Sequence, residues 1–245
     1  MTLRVGIMGA GQAGERQAIG FDGAEGAAVV AVADLDQARA ELLARRFDAA
    51  VHTDWRSLFD HPLDIVVVAL PHNLHVEPAE TAAAQGVHVM MEKPIATTMA
   101  DAHRIVDVCR QGGVKLTVSF VHRFREELQL LHGWLRAGDL GRPVLARETM
   151  NGQRGAHLPA WVERQAAAGG GVLMYSAIHA VDRLRWLLDS EAVQVTAQTR
   201  VFETDAEVEH AAAALLTFAN GVTATLTATA PAYPAQPSFW ETEIF

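Results

Sequence analysis

The chain has 245 residues, half of them hydrophobic and a fifth charged, which suffices for one large or two small domains. Its net charge of −9 argues against nucleic-acid binding, since neutralising phosphates requires clusters of Lys and Arg that the sequence lacks. The single cysteine, Cys109, excludes an internal disulfide framework and favours a reducing compartment. No apolar run approaches the ~18 residues that cross a bilayer. A strand predicted from Leu3 leaves no room for a signal peptide, so we expect a cytoplasmic protein without membrane partners.

The first half alternates short apolar runs with amphipathic stretches, which is typical of parallel strands covered by helices on both faces. The predicted strands are Leu3 to Met8, Ala28 to Ala33, a short piece near Val51, Asp64 to Leu70, Val87 to Met91 and Lys115 to Phe120. The predicted helices are Gln12 to Phe21, Asp36 to Phe47, His75 to Gln85 and Met99 to Arg110. In the second helix we expect Leu42, Leu43 and Phe47 to face the core.

The pattern changes after Phe120. An amphipathic helix is predicted from Arg123 to Ala137, followed by a mixed segment from Gly141 to Leu158 and a helix from the Gly169 to Gly171 run to about Leu188. The remainder predicts the strands Val193 to Phe202, Val208 to Phe218 and Val222 to Ala230, with a hairpin turn at Asn220-Gly221.

A glycine-rich motif, G-x-G-x-x-G, lies between the first strand and the first helix. Such a loop allows a tight turn, a close backbone approach to a pyrophosphate and tight helix–strand packing. A plain glycine turn is the alternative. We predict dinucleotide binding here, by Gly9, Gly11, Gln12, Ala13 and Gly14. The chain is thus predicted to be an α/β protein: an NAD(P)-binding Rossmann domain over residues 1–120, then an α+β domain over 121–245 with a mostly antiparallel open sheet.

Asp34 ends the second strand about 20 residues beyond the last glycine, where an acidic residue binds the ribose 2′-hydroxyl of NAD. Its carboxylate would repel a 2′-phosphate, so NAD is expected over NADP. The alternative role is to cap the helix that begins near Asp36.

A turn of sequence PHNLH follows the strand that ends at Leu70, at the carboxyl edge of the sheet, where open α/β sheets bind ligands. Leu70, Pro71, Asn73 and His75 are predicted to flank the nicotinamide. For His72 a surface turn is the alternative. We expect no metal, because no cysteine or acid cluster completes a site with the two histidines.

Glu92, Lys93 and Pro94 follow the strand that ends at Met91, at the same edge. A free lysine titrates near ~10.4, so acid–base work at neutral pH requires a lowered pKa, which desolvation would provide and the charge of Glu92 would oppose. We predict that Lys93 is catalytic and contacts both cofactor and substrate, beside Glu92 at the cofactor. A solvated lysine is the alternative.

Four side chains share one face of the helix predicted from Gly171 to Leu188: Tyr175, His179, Asp182 and Trp186. His179 with Asp182 three residues later resembles an imidazole oriented by a carboxylate, as a general base requires. A core histidine with a solvated aspartate is the alternative, and Tyr175 and Trp186 are expected to pack.

In order and spacing, five segments resemble the Gfo/Idh/MocA family of oxidoreductases, named for glucose–fructose oxidoreductase, inositol dehydrogenase and the rhizopine-catabolism proteins. The segments, which span nearly the whole chain, are GAGQAG with Asp34, ALPHNLH, GVHVMMEKPIA, VHRF and GGGVLMYSAIHAVDRLRWLL. The resemblance implies that Lys93 lies near the nicotinamide and the substrate hydroxyl and that His179 is an acid or base. It also implies a cis bond before Pro94, and substrate contacts by Lys93, Arg123, Tyr175 and His179.

The chain departs from the family pattern twice. Many members carry an aspartate four residues before the histidine, where this chain has Tyr175, which puts a sugar- or inositol-type dyad in doubt. Members also usually run on for roughly a hundred residues, so the second sheet is expected to be incomplete and to expose an edge. A homo-oligomer is expected where that sheet is complete.

The expected function is NAD(P)-dependent hydride transfer with a secondary hydroxyl or ketone of a small-molecule sugar, polyol or cyclic alcohol, with Lys93, His179 and Asp182 as catalytic residues. The alternative is a nucleotide-binding regulator or scaffold that retains the fold without turnover.

Overall fold

A computed structural model describes residues 2–152, 158–202, 205–230 and 238–245. The chain forms two compact units; the first ends at Ser119 and the second begins at Phe120. Within these residues, no helix combines the length and apolar character needed to cross a membrane.

The first unit is a six-stranded parallel sheet in the order β3-β2-β1-β4-β5-β6. Its strands are β1 (Leu3–Met8), β2 (Ala27–Ala33), β3 (Ala50–His52), β4 (Ile65–Val68), β5 (His88–Met91) and β6 (Leu116–Val118). Its helices are α1 (Gln12–Asp22), α2 (Gln37–Ala44), α3 (Val76–Ala84) and α4 (Met99–Gln111).

Successive residues of the parallel strands enter two separate cores. Val66 and Val68 of β4 pack into one core with Ala79 of α3 and Ile105 of α4, whereas Val67 packs into the other. This alternation is why the strands are continuously apolar. The strand order reverses between β1 and β4, so the loops after these two strands lie where such sheets bind ligands.

The prediction for α2 was wrong in two respects, because the helix ends at Ala44 instead of Phe47 and Leu42 does not face the core. Leu42 is 70% exposed, whereas Leu43 and Phe47 pack into the core. The buried residues of α2 are Ala40, Leu43 and Ala44, which share one helix face at the i, i+3, i+4 spacing, and Leu42 lies roughly opposite the centre of that face.

The second unit is a five-stranded mixed sheet in the order β11-β7-β10-β9-β8. Only the β7–β10 pairing is parallel among these strands, so the mostly antiparallel sheet is confirmed. The strands are β7 (Leu145–Asn151), β8 (Ala192–Arg200), β9 (Ala211–Phe218), β10 (Thr223–Thr229) and β11 (Phe239–Ile244). The helices are α5 (Glu126–Ala137), α6 (Gln165–Ala168) and α7 (Ile178–Leu187). The predicted hairpin joins β9 to β10, with Gly221 at φ +88°. Part of the mixed segment predicted from Gly141 to Leu158 lies outside the described residues.

Two helix predictions in this unit need correction. The helix predicted from Arg123 begins at Glu126, because the extended backbone of Arg125 separates it from a 3-10 turn at Val121–Phe124. The helix predicted after Gly171 opens with a π-helical turn, Leu173–Ala177, before α7. A π turn adds a residue to the repeat, so the predicted common face does not extend in regular register back to Tyr175.

Candidate functional site

The three glycines of the loop after β1 have different steric roles. A Cβ on Gly9 (φ +93°) would lie 2.4 Å from the carbonyl oxygen of Ala69, and one on Gly14 would lie 1.8 Å from that of Gly9. A Cβ on Gly11 would meet no described atom within 4 Å. Gly9 and Gly14 are therefore required for packing, whereas Gly11 leaves the N-terminus of α1 open.

This open helix terminus fits the pyrophosphate of a dinucleotide. Gly11 occupies the N-cap position of α1 and brings no side chain there, and the next residues, Gln12 and Ala13, are exposed. Backbone N–H groups and the positive end of the helix dipole make such a terminus an anion site. The residues present thus fit the cofactor that the sequence predicts.

Asp34 joins the end of β2 to the glycine loop. Its Oδ2 accepts a hydrogen bond from the Ala10 N–H at 2.8 Å, and its Oδ1 accepts one from the Asp36 N–H at 2.8 Å. The helix-cap alternative is wrong, because Asp36 caps α2 by accepting from the Arg39 N–H. The guanidinium of Arg39 lies 3.3 Å from Asp34.

The segment that carries Lys93 continues from β5. The Glu92 N–H donates to the Val68 carbonyl at 2.9 Å, and the Glu92 carboxylate accepts from the Gln17 amide at 2.7 Å and from the Lys93 N–H at 3.2 Å. The bond between Lys93 and Pro94 is cis. Burial lowers the pKa of the Lys93 ammonium; the charge of Glu92 opposes this effect and that of Arg16 adds to it. Lys93 therefore has the direction of pKa shift that proton transfer near neutral pH requires.

His75 differs from its prediction as a direct cofactor contact. Its side chain is fully buried, with Nε2 3.0 Å from the Leu70 carbonyl and Nδ1 3.1 Å from the Ile95 carbonyl. An enclosed ring between two backbone carbonyls can act on a ligand only through the loops it joins. His72 is also buried, which removes the surface-turn alternative, while Asn73 is exposed.

In the second unit, His179 of α7 is buried in an aromatic cluster. Its ring stacks on His122 with 4.2 Å between centroids and an 11° interplanar angle, and it meets Phe120 edge-on at 6.0 Å. Trp240 of β11 packs edge-on against both imidazoles. The ring is thus held in place on several sides by other rings.

Asp182 has a different partner from the predicted imidazole. Its Oδ2 accepts from Arg123 Nε at 2.8 Å and its Oδ1 from Arg123 Nη2 at 2.5 Å. This bidentate pair uses the fork of Arg123, which the sequence assigned to substrate. A guanidinium outcompetes an imidazole for a carboxylate because it offers two parallel charged donors.

Tyr175 packs edge-on against Trp161, with 6.3 Å between the ring centroids.

Sequence reasoning missed a buried ion pair between Arg183 and Glu148. Arg183 Nε and Nη2 both donate to the Glu148 carboxylate, which also accepts from the Thr242 hydroxyl at 2.8 Å. Burial raises the pKa of Glu148 to about 7, although Arg183 opposes this. Arg183 Nη1 lies 3.4 Å from Nδ1 of His122, which links the pair to the ring under His179. Two signals were present: Arg183 follows His179 by one helical turn, and Glu148 lies on the same face of β7 as the buried Ala146 and Met150.

Together, the doubly covered parallel sheet, its glycine loop and the mixed second sheet define a dinucleotide-binding protein with a Rossmann unit and an α+β unit. The model of the oxidoreductase family with an NAD-binding Rossmann fold matches residues 3–120, and the Gfo/Idh/MocA C-terminal domain model matches residues 128–245. The chain belongs to the Gfo/Idh/MocA family, which confirms the resemblance drawn from its motifs.

Several relatives are dehydrogenases by name. Inositol 2-dehydrogenase of Acidothermus cellulolyticus is 36% identical over 200 residues, which are 80% of this chain and 56% of that protein. GenD2 from gentamicin A biosynthesis, solved with NAD, superposes with a TM-score of 0.91 at 25% identity, over 99% of this chain and 69% of GenD2. Levoglucosan dehydrogenase, solved with NADH and levoglucosan, superposes with a TM-score of 0.90 at 25% identity, over 100% of this chain and 71% of that dehydrogenase. The chain thus spans little more than half the length of the curated relative.

Proposed function

We propose that the protein is an NAD-dependent oxidoreductase that transfers hydride between the nicotinamide and a secondary hydroxyl or ketone of a sugar, polyol or cyclic alcohol. The observation that carries this proposal is Lys93, an amine whose pKa is lowered by burial, placed just after β5 at the edge of the sheet that bears the glycine loop. The named substrates of the relatives are consistent with this class of compound.

The proposed cofactor site is the N-terminus of α1 with the loops that follow β1, β2 and β4. The amides at Gln12 and Ala13 hold the pyrophosphate, and Leu70, Pro71 and Asn73 flank the nicotinamide. When bound, the nicotinamide supplies the hydride acceptor. Asp34 accepts from the ribose 2′-hydroxyl while its hydrogen bonds from the Ala10 and Asp36 N–H groups hold it between the glycine loop and the start of α2, and its charge disfavours a 2′-phosphate.

The proposed role of Lys93 is to take the hydroxyl proton through its neutral amine as the carbonyl forms, and to return it in the reverse direction. His179 is proposed as a second acid–base group, held in orientation by its stacking on His122. Asp182 then acts through Arg123, because the two form a bidentate pair, and Arg123 positions the turn that bears His122.

The rival function is a nucleotide-binding regulator or scaffold, favoured by Tyr175 at the position where many relatives carry an acid. A fluorescence titration with NADH, paired with a screen for NAD reduction over polyols, aldoses and cyclic alcohols, separates the two. Hydride transfer from at least one such alcohol is the expected result. NADH binding without reduction of NAD by any of them would favour the regulator.

We also propose that the second unit associates with a further copy of itself. Its β8 is an edge strand with Val193 67% and Val195 58% exposed, and Leu215 of the neighbouring β9 is 49% exposed. Unpaired edges and exposed apolar strands favour association. Light scattering after size exclusion tests this: a mass near 26.5 kDa would contradict it, and a multiple of that mass is expected.

A further inference from the structure

His75 connects the two loops that matter most in the first unit. One of its carbonyl partners, Leu70, belongs to the loop after β4, and the other, Ile95, lies two residues beyond Lys93. The ring is fully buried at the start of α3, so neither contact is shared with solvent. The fold therefore fixes the position of the His75 ring, and the ring in turn holds the two loops in place.

The two carbonyl contacts of the His75 ring are not chemically equivalent when the imidazole is neutral. A carbonyl oxygen only accepts, so a neutral imidazole donates to one of the two carbonyls and only the imidazolium donates to both. Burial lowers the pKa of His75, while the carbonyls of Leu70, Ile95 and Pro94 and the charge of Glu92 oppose this. The ring of His72, a second titratable group, meets that of His75 edge-on with 6.0 Å between the ring centroids. The neutral form is thus favoured, and one nitrogen carries the functional hydrogen bond.

We propose that His75 is a positioning residue that donates from Nδ1 to the Ile95 carbonyl and thereby fixes the segment carrying Lys93 relative to the loop after β4. This inference rests on the proposed function of Lys93. Misplacing a reacting group by about 1 Å costs on the order of 100-fold in rate, so loss of this bond is expected to lower kcat with little change in NADH affinity.

Two amide substitutions separate the two nitrogens. The side-chain N–H₂ of Asn reaches the place of Nδ1, whereas that of Gln reaches the place of Nε2. His75→Asn therefore keeps a donor for Ile95, and His75→Gln keeps one for Leu70. The expected result is a kcat within about threefold of wild type for H75N and a loss of about 10- to 100-fold for H75Q, with NADH affinity retained in H75Q. Equal loss in both variants, or loss in neither, would overturn the proposal.

A second readout requires no substrate. The chain has two lysines, Lys93 and the exposed Lys115, so acetic anhydride labelling followed by mass spectrometry gives a pH profile for each amine in one sample. In H75Q the Lys93 profile is expected to move toward that of Lys115, and in H75N it is expected to match the wild type. Unchanged Lys93 profiles in both variants would contradict the positioning role. If the wild type turned over no alcohol while the H75Q profile moved as expected, the proposed function would fail and the positioning role would stand.

Discussion

Arg123 and Asp182 form a bidentate ion pair across 59 residues of sequence, with Nη2 2.5 Å from Oδ1 and Nε 2.8 Å from Oδ2. The Asp182 side chain is 3% exposed and that of Arg123 is 39% exposed. The buried carboxylate therefore needs the guanidinium to compensate its charge, whereas the guanidinium is also accessible to water. The pair attaches the turn before α5 to α7, the helix that carries His179.

Removing the cation should therefore destabilise the second unit. Arg123→Ala leaves a buried carboxylate without its charged donors, and we expect the free energy of unfolding to fall by about 1–3 kcal/mol in urea titrations. Arg125→Ala is the matched control, because Arg125 pairs with Glu127 on the surface and its loss should leave the unfolding midpoint unchanged. Equal unfolding midpoints for the two variants would show that the Arg123–Asp182 pair stabilises the fold no more than the surface pair of Arg125 and Glu127 does.

Glu148 should give the second unit a distinctive pH dependence. Its pKa is about 7 in the folded protein against an ordinary 4.5, so the folded state binds more protons between these values. Stability from this group is then full at low pH and declines as pH rises from about 4.5 to 7, by about 3 kcal/mol in total. The free energy of unfolding of wild type minus that of Glu148→Gln should fall over this range. A difference that rises with pH would mean that Arg183 holds Glu148 ionised.

Two glycines of the nucleotide loop, Gly11 and Gly14, should respond differently to alanine. Gly14→Ala places a Cβ 1.8 Å from the Gly9 carbonyl oxygen and is expected to destabilise the first unit strongly. Gly11→Ala has room for its Cβ and a backbone that alanine readily adopts (φ −73°), so stability should stay within about 1 kcal/mol of wild type. We expect G11A to fold but to bind NADH at least about tenfold more weakly, by crowding the phosphate position. Unaltered NADH affinity in folded G11A would place the phosphates elsewhere.

Cofactor preference should shift toward NADPH when Asp34 is replaced. Asp34→Ser takes away the charge that repels a 2′-phosphate and leaves the neighbouring Arg39 to pair with one. The NADPH-to-NADH affinity ratio is expected to rise by about tenfold or more, measured by fluorescence titration. Asp36→Asn, which alters the other carboxylate near Arg39, is the control and should leave the ratio close to that of wild type. Tighter binding of NADPH than of NADH by the wild type would contradict the role of Asp34.

The parts of the structure that follow from local patterns were predictable from sequence. Continuous apolar strands, the spacing of the glycines and the Asn220-Gly221 turn each have a short-range cause, and the parallel sheet and the hairpin follow from them. The partner of Asp182 was not predictable, because helix spacing identifies a neighbour, His179, but gives no sign that Arg123 arrives from a distant turn. The burial of His75 was not predictable either: its position in the sequence suggests a ligand contact, whereas its ring lies between the carbonyls of Leu70 and Ile95.

The central claim, that Lys93 carries the proton in hydride transfer, is tested most directly by the turnover of Lys93→Met, which keeps the length and apolar stem of the side chain without its amine. Lys115→Met is the matched control, since Lys115 is the only other lysine and is exposed. With the best alcohol of the screen, we expect kcat of K93M to fall by about 100-fold or more while NADH affinity is retained, and K115M to behave as wild type. A K93M enzyme with the kcat of the wild type would contradict the account.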